Sequence, residues 1–128
     1  MANNTAYTAT GTQCADAPQQ ASGKVVYPAT SIVAADYSVF EVGFTPRFVQ
    51  WCNITSRVMV EWYEGMTADT CIKTAAAGTR TLETTNLGIT ICDSDGTANT
   101  NGRYFKVAQN ATLVAILASQ TCSWRAVG

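Results

Sequence analysis

The sequence predicts an all-β protein, built as an antiparallel sandwich or barrel. Short segments in which large apolar residues alternate with other residues recur along most of the 128-residue chain. Turn-forming residues such as Pro46, Gly78 and the pair Asp95-Gly96 separate these segments. No long stretch carries the apolar stripe of a helix, although Ala75–Ala77 could form a single turn.

The stretch Gly43–Met66 shows the strand pattern most clearly. It predicts two strands, Arg47–Ile54 and Arg57–Tyr63, which are joined by a short turn at Thr55-Ser56. Side chains of a strand point alternately to its two faces, and here both faces receive large apolar residues. A lone hairpin cannot bury both faces, so we expect a second layer or a neighbouring subunit to cover one of them.

Eight other segments have the same short, apolar-rich character and are also predicted to be strands. They are Lys24–Tyr27, Val39–Phe44, Cys71–Thr74, Thr79–Thr84, Gly88–Cys92, Arg103–Ala108, Leu113–Leu117 and Cys122–Val127. Residues 1–22 are instead small and polar, and this composition cannot bury enough apolar surface to fold alone. We therefore expect an extended N-terminal arm over residues 1–22, followed by a single β domain over residues 23–128.

Charged residues are scarce and scattered, which limits the partners that the protein can bind. They make up 13% of the chain, against about 25% in a typical domain, and the net charge is −1. Direct binding of nucleic acid is not expected, because no clustered positive patch is present to displace counterions. The longest apolar run, Leu113–Ala118, is too short for a membrane span. A surface with so little charge fits contact with other proteins.

The sequence supplies few groups for catalysis or metal binding. It contains no histidine, and its five cysteines lack metal-ligand spacing. Because the N-terminus lacks a secretory signal, we expect reduced, structural thiols in a chain made in a cytoplasm, although a disulfide between two of them stays possible. Glu61 and Glu64 could serve glycoside hydrolysis, but their offset places them on opposite faces unless the chain bends at Gly65. We expect no enzymatic activity and no cofactor.

Two further patterns have both a functional and a structural interpretation. Asp93–Asn101 offers the oxygen ligands of a calcium loop but lacks a suitably placed glutamate, and Asp and Asn before Gly favour a hairpin turn. Large aromatic residues could line a sugar-binding groove, but aromatic rings more often fill a sandwich core. These aromatic residues are Trp51, Trp62, Tyr63, Tyr104, Phe105 and Trp124. We therefore favour a turn in the first case and a core in the second.

An ordered set of short motifs gives the chain a family resemblance. In order along the chain they are GFTPRFV (43–49), Asn53, EWYEGM (61–66), KTAAAGTRTL (73–82) and GIT (88–90). The set lies within residues 43–117 and is similar to a recurring pattern in small virion proteins of tailed bacteriophages. The N-terminal arm lies outside the resemblance.

The resemblance implies a jelly-roll-like β-sandwich that carries no catalytic residues. It implies a capsid decoration, or cement, protein that binds the outer surface of the virion head, made in the host bacterial cytoplasm. On the head it would bridge neighbouring subunits of the major capsid protein. A tail or fibre component, or a glycan- or receptor-binding module, is the alternative. Copies are also expected to associate as dimers or trimers, because one face of the predicted hairpin is too apolar to stay in water.

Interface residues are expected in the polar arm and among the large aromatic residues of the hairpin. An extended arm can lie along a neighbour and pair with an exposed sheet edge. The expected contacts with capsid or with other copies are Asn3, Thr5, Tyr7, Thr10, Gln13, Trp51, Trp62 and Tyr63.

Overall fold

The computed structural model describes residues 19–27, 37–84, 88–108 and 119–128. Across these ranges the chain forms β-strands and no helix, so no described segment is a helix long and apolar enough to cross a membrane. The strands are β1 (Gln20–Val26), β2 (Tyr37–Glu41), β3 (Phe48–Asn53), β4 (Val58–Tyr63), β5 (Cys71–Thr74), β6 (Arg80–Glu83), β7 (Ile89–Cys92), β8 (Tyr104–Ala108) and β9 (Thr121–Val127). The predicted all-β fold is confirmed.

The strands pair into two antiparallel sheets. The large sheet has six strands in the order β1-β9-β3-β4-β5-β6, and the small sheet has three in the order β2-β8-β7. Buried residues of both sheets form one hydrophobic core between them. Two sheets that share a core in this way form a β-sandwich.

The boundaries of β3 to β9 lie within one residue of the sequence prediction, and those of the two N-terminal strands differ by more. β2 begins two residues before and ends three residues before the predicted strand Val39–Phe44. β5 matches its predicted range, and β3 and β4 each begin one residue later than predicted. β1 begins at Gln20, which lies within the expected arm, because Gln20 pairs in register with Val127 of β9. Polar residues can form such a strand because the hydrogen bonds to β9 satisfy their backbone groups. Local composition does not reveal this partner strand. The predicted strand Leu113–Leu117 lies outside the described residues.

The chain passes from the small sheet to the large sheet at the corner predicted at Pro46. β2 pairs with β8 in the small sheet, whereas β3 pairs with β4 and β9 in the large sheet. The amide groups of Val42 and Gly43 donate to the carbonyl oxygen of Arg103, at 2.9 and 3.3 Å. Gly43 has a φ of 90°, which glycine adopts without steric cost. These contacts fix the point at which the chain leaves the small sheet.

Four aromatic rings join the two sheets, and we call them the aromatic cluster. Phe40 and Phe105 come from the small sheet, and Trp51 and Trp124 come from the large sheet. The ring centroids of Phe105 and Trp124 lie 5.1 Å apart in an edge-to-face arrangement, and those of Phe40 and Trp51 lie 5.2 Å apart. Such contacts add about 0.5–1.5 kcal/mol each beyond the area that the rings bury.

Polar contacts also tie the sheets together at their margins. The hydroxyl groups of Tyr27, which follows β1, and Ser38 of β2 are hydrogen-bonded at 2.9 Å. At another margin, the amide of Ile89 donates to the carbonyl of Thr70 at 3.2 Å. A Cβ at Gly88 would lie 2.4 Å from the carbonyl carbon of Thr70, so only glycine allows this close approach of β7 to the start of β5.

The aromatic cluster predicts that two substitutions differ greatly in their effect on the free energy of unfolding. Phe105→Ala should lower the free energy of unfolding by about 3–5 kcal/mol, because it removes a fully buried ring and leaves a cavity. Leu82→Ala is the matched control, since Leu82 is exposed and its truncation should change stability by at most about 0.5 kcal/mol. Urea denaturation followed by tryptophan fluorescence measures both values. Similar losses in the two variants would contradict the assigned core.

Candidate interaction surface

The three hairpin residues expected at an interface occupy different environments. Trp51 is fully buried, and Trp62 has only 8% of its surface exposed. Tyr63 is 43% exposed. Trp51 and Trp62 therefore belong to the core of the folded chain, and only Tyr63 offers substantial surface to a partner. Phe105 and Trp124 are buried as well, so the core interpretation is confirmed for most of the aromatic residues that could have lined a sugar-binding groove.

The five arm residues expected at an interface are Asn3, Thr5, Tyr7, Thr10 and Gln13, and they lie outside the described residues. The described chain starts at Gln19, whose carbonyl accepts a hydrogen bond from the amide of Gly128 at 2.9 Å. Residues 20–22, which were expected in the arm, are instead part of β1, the strand at one margin of the large sheet.

One side of the large sheet points away from the small sheet, and we call it the outer face. Its members follow from the strand registers, because residues directly opposite each other share a face. On the central strands they are Phe48, Gln50 and Cys52 of β3, Met59, Glu61 and Tyr63 of β4, and Ser123, Arg125 and Val127 of β9. Toward the margins they are Gln20, Ser22, Lys24 and Val26 of β1, Thr121 of β9 opposite Val26, Ile72 and Thr74 of β5, and Arg80 and Leu82 of β6.

The outer face mixes exposed apolar side chains with polar ones. Val26 is 62% exposed and Leu82 is 66% exposed, at opposite margins of the sheet. Between them, the rings of Phe48 and Tyr63 lie 5.1 Å apart, and the guanidinium of Arg125 lies 5.9 Å from the ring centre of Phe48. Isolated apolar residues on a surface are common, but a series of them across one sheet face is typical of a surface that another protein covers.

A polar cluster at the centre of the outer face is internally paired. The hydroxyl of Tyr63 donates to Glu61 Oε2, and Arg80 Nη2 lies 3.8 Å from Glu61 Oε1. The side chain of Glu61 is only 12% exposed. The hydrogen bond to Glu61 raises the pKa of Tyr63, because it stabilises the protonated phenol, and partial desolvation adds to this effect.

The two carboxylates considered for glycoside hydrolysis have separate partners. Glu61 is held by Tyr63 and Arg80 on the outer face. Glu64 lies in the turn after β4, where its Oε2 is 3.5 Å from Arg47 Nε. The two carboxylates therefore belong to separate clusters, and each has an arginine beside it.

The loop considered for calcium forms the predicted turn. The amide of Gly96 donates to the carbonyl of Asp93 at 2.9 Å, and Asn99 Nδ2 donates to Asp93 Oδ1 at 2.9 Å. Asp95 Oδ1 accepts the amide of Thr97 at 2.9 Å, and this bond lowers the pKa of Asp95. The carboxylate oxygens thus stabilise the turn itself. Over the described residues, no group of three or more Cys, Asp or Glu side chains is placed to hold a metal ion.

The buried thiols are in a poorly reactive state. Burial raises the pKa of Cys71 to about 12 and the pKa values of Cys92 and Cys122 to about 11. Cys52 is a free, half-buried thiol on the outer face. Because the thiolate is the reactive form, thiols with such high pKa values act as small apolar core residues.

A groove at one end of the sandwich was not anticipated from the sequence, and we call it the end groove. It has a polar part of about 450 Å³ and an apolar part of about 320 Å³, which share Thr45, Glu64 and Thr100. Arg103 lines the polar part, and Trp62 lines the apolar part. The indole nitrogen of Trp62 is buried without a hydrogen-bond partner in the described structure. A water or ligand atom that paired with it would stabilise the protein.

Residues from two of the segments that carry the resemblance, GFTPRFV and EWYEGM, line the end groove. Residues 43–47 and 64–66 line it, together with the loop 98–103. No protein-family model, no curated protein and no solved structure matches the chain. One sequence signal could have located the groove: the predicted β3–β4 hairpin brings residues 43–47 and 64–66 to the same end of the sheet.

The pairing of Tyr63 with Glu61 makes a prediction for alkaline titration. Glu61→Gln should lower the pKa of Tyr63 toward its ordinary value, because the variant removes the negative charge that holds the phenolic proton. Tyr27 is the internal control, since burial raises its pKa to about 12 independently of Glu61. NMR titration of ring-labelled tyrosines measures both residues in one sample. A Tyr63 pKa that does not change would show that the hydrogen bond is absent in solution.

Proposed function

We propose that this protein is a capsid decoration, or cement, protein of a tailed bacteriophage that binds the outside of the assembled head. The observation that carries the proposal is the outer face, where Val26, Tyr63 and Leu82 remain exposed on a six-stranded sheet. The similarity of residues 43–117 to the virion-protein pattern supplies the class of partner, the major capsid protein. In this proposal the outer face lies on the capsid and the small sheet points away from it.

The paired polar cluster makes the outer face suitable for burial against another protein. A charge that enters an interface without a partner costs several kcal/mol of desolvation. Glu61 already has Tyr63 and Arg80 as partners, so a capsid subunit could cover it without leaving an unpaired charge. The exposed apolar side chains around the cluster would then contribute the favourable part of binding, about 1.5–3 kcal/mol for each one fully buried.

Stabilisation of the capsid follows from selective binding to the assembled shell. A protein that binds the assembled state and not the free subunits shifts the equilibrium toward assembly. Each copy needs only a modest affinity when it contacts two neighbouring subunits, because the second contact forms at a high effective concentration. A broad sheet with exposed apolar residues at both margins, Val26 on β1 and Leu82 on β6, is suited to two such contacts.

The capsid-binding role of the outer face can be tested with a single charge. Leu82→Glu should reduce occupancy on heads that lack the native protein about tenfold or more, because it replaces an apolar contact with a buried charge. Ser94→Glu is the matched control, since it adds the same charge at an exposed position in the turn that follows β7 of the small sheet. Quantitative binding to purified heads measures both variants. Equal occupancy of the two variants would reject the outer face as the capsid-binding surface.

A second test concerns the arm. Deleting residues 1–18 retains Gln19 and the whole of β1, so the sandwich should keep its folding transition. We expect the deletion to abolish or greatly weaken capsid occupancy, because an extended arm can add backbone pairing along a neighbouring subunit. Occupancy equal to that of the full chain would remove the arm from the proposal while leaving the outer face in place.

The end groove favours a second candidate function, a tail or fibre component that binds a glycan or receptor. Its polar part presents the side chains of Arg103, Thr45 and Asn101 beside an apolar part, which is the mixture that small-ligand sites use. Electron microscopy of the intact particle separates the two candidates. Density on the head supports the decoration role, and density on the tail supports the binding module.

A further inference from the structure

We propose that β1 is a self-association edge, through which two copies of the chain pair β1 with β1 in antiparallel orientation about a two-fold axis at Gly23. The pairing would join two large sheets into one continuous sheet of twelve strands. This inference goes beyond the proposed function, because it requires neither a capsid nor any other partner.

The first observation is the direction of the backbone groups of β1. The amide of Tyr27 donates to Gln120 at 2.9 Å, and the carbonyl of Gln19 accepts from Gly128 at 2.9 Å. In an antiparallel ladder, alternate residues exchange hydrogen bonds with the same neighbour. The odd-numbered residues of β1 therefore bond to β9. The even-numbered residues turn their N–H and C=O groups to the other side, and these residues are Gln20, Ser22, Lys24 and Val26.

The second observation is the difference between the two margins of the large sheet. β6 has four residues and carries the charged side chains of Arg80 and Glu83. Short length and charge are devices by which proteins prevent an edge strand from pairing with another chain. β1 has seven residues, no proline and a single charged side chain, Lys24. Of the two margins of the large sheet, β1 is thus the one that lacks these protective devices within the described residues.

The register follows from the same alternation. An axis at Gly23 places Ser22 opposite Lys24 of the second copy, and Gln20 opposite Val26 of the second copy. Each even-numbered residue then meets an even-numbered residue, so all the outward backbone groups find partners and the strand pairs over its full length. An axis at Lys24 would instead bring two like charges together and leave one end of each strand unpaired.

The side chains agree with this register on both faces of the joined sheet. On the core side, Ala21 comes opposite Val25 of the second copy, and both residues are partly buried and packed against the core. On the outer face, Lys24 comes opposite Ser22, so no like charges face each other. An edge that is nearly neutral and complementary to itself favours a second copy of this chain over an acidic or basic partner strand.

Proline at an outward-facing position tests the edge without removing a hydrogen bond of the monomer. Ser22→Pro eliminates an N–H group that points away from β9, and proline is tolerated at such edge positions. Ser22→Ala is the matched control, because it keeps the N–H group. Sedimentation velocity from about 1 to about 100 µM should show the full-length protein and Ser22→Ala as dimers of twice the chain mass at the upper end. Ser22→Pro should stay monomeric with unchanged tryptophan emission.

Charge variants at the same residue test the register. If Ser22→Pro does not fold, they also test whether two copies pair through β1. Because of the two-fold axis, each substitution acts twice in one interface. Ser22→Glu should lower the dimer dissociation constant about threefold or more by facing Lys24, and Ser22→Lys should raise it by a similar factor. Equal dissociation constants for the two variants would overturn the register.

Two outcomes would overturn the self-association edge itself. One is a full-length protein that stays monomeric at the highest concentration. The other is slow amide hydrogen exchange at Ser22 and Lys24 that does not depend on protein concentration, because this would show that a segment of the same chain covers β1. Protection that increases with concentration, in parallel with dimer formation, is the expected result.

Discussion

The packing of Phe40 and Phe105 against Trp51 and Trp124 is the interaction on which the rest of the structure depends. It fixes which face of each sheet is the inner one. Since successive side chains of a strand alternate between faces, burying Trp51 and Val49 sends Phe48, Gln50 and Cys52 outward. The outer face is therefore a direct consequence of the core. Its apolar members lie outside the core because strand alternation directs them to the opposite side of the sheet.

Polar side chains of the outer face pair with one another. Gln50 Nε2 donates to Met59 Sδ at 3.2 Å, and Glu61 is held between Tyr63 and Arg80. These contacts satisfy polar groups within the sheet and leave few charges that require water. Such a surface can stay in solvent, yet it loses little when a partner covers it. β1 also has few charged residues, since Lys24 is its only charged side chain.

The position of most strands could be predicted from the sequence, but their arrangement could not. Alternation and turn residues are local signals, and they located β3, β4 and β5 to within about one residue. The placement of β9 between β1 and β3 depends on contacts between distant parts of the chain. The hairpin pattern showed two apolar faces without showing which one is the core, and for this reason Trp51 and Trp62 were expected at an interface. Buried Asn53, whose Oδ1 accepts the amide of Ser56 at 3.1 Å, marks the inner face.

The motifs that resemble virion proteins are first of all a structural unit. The β3–β4 register places Phe48 opposite Tyr63, and it continues into the end groove. There the amide of Glu64 donates to the carbonyl of Arg47 at 2.7 Å, and their side chains form an ion pair. GFTPRFV and EWYEGM therefore belong to one hairpin, in which Arg47 and Glu64 are paired through both backbone and side chain. Tyr63 and Leu82 lie in the same set of motifs but are exposed on the outer face, and in the proposed function they are the side chains that a partner would cover.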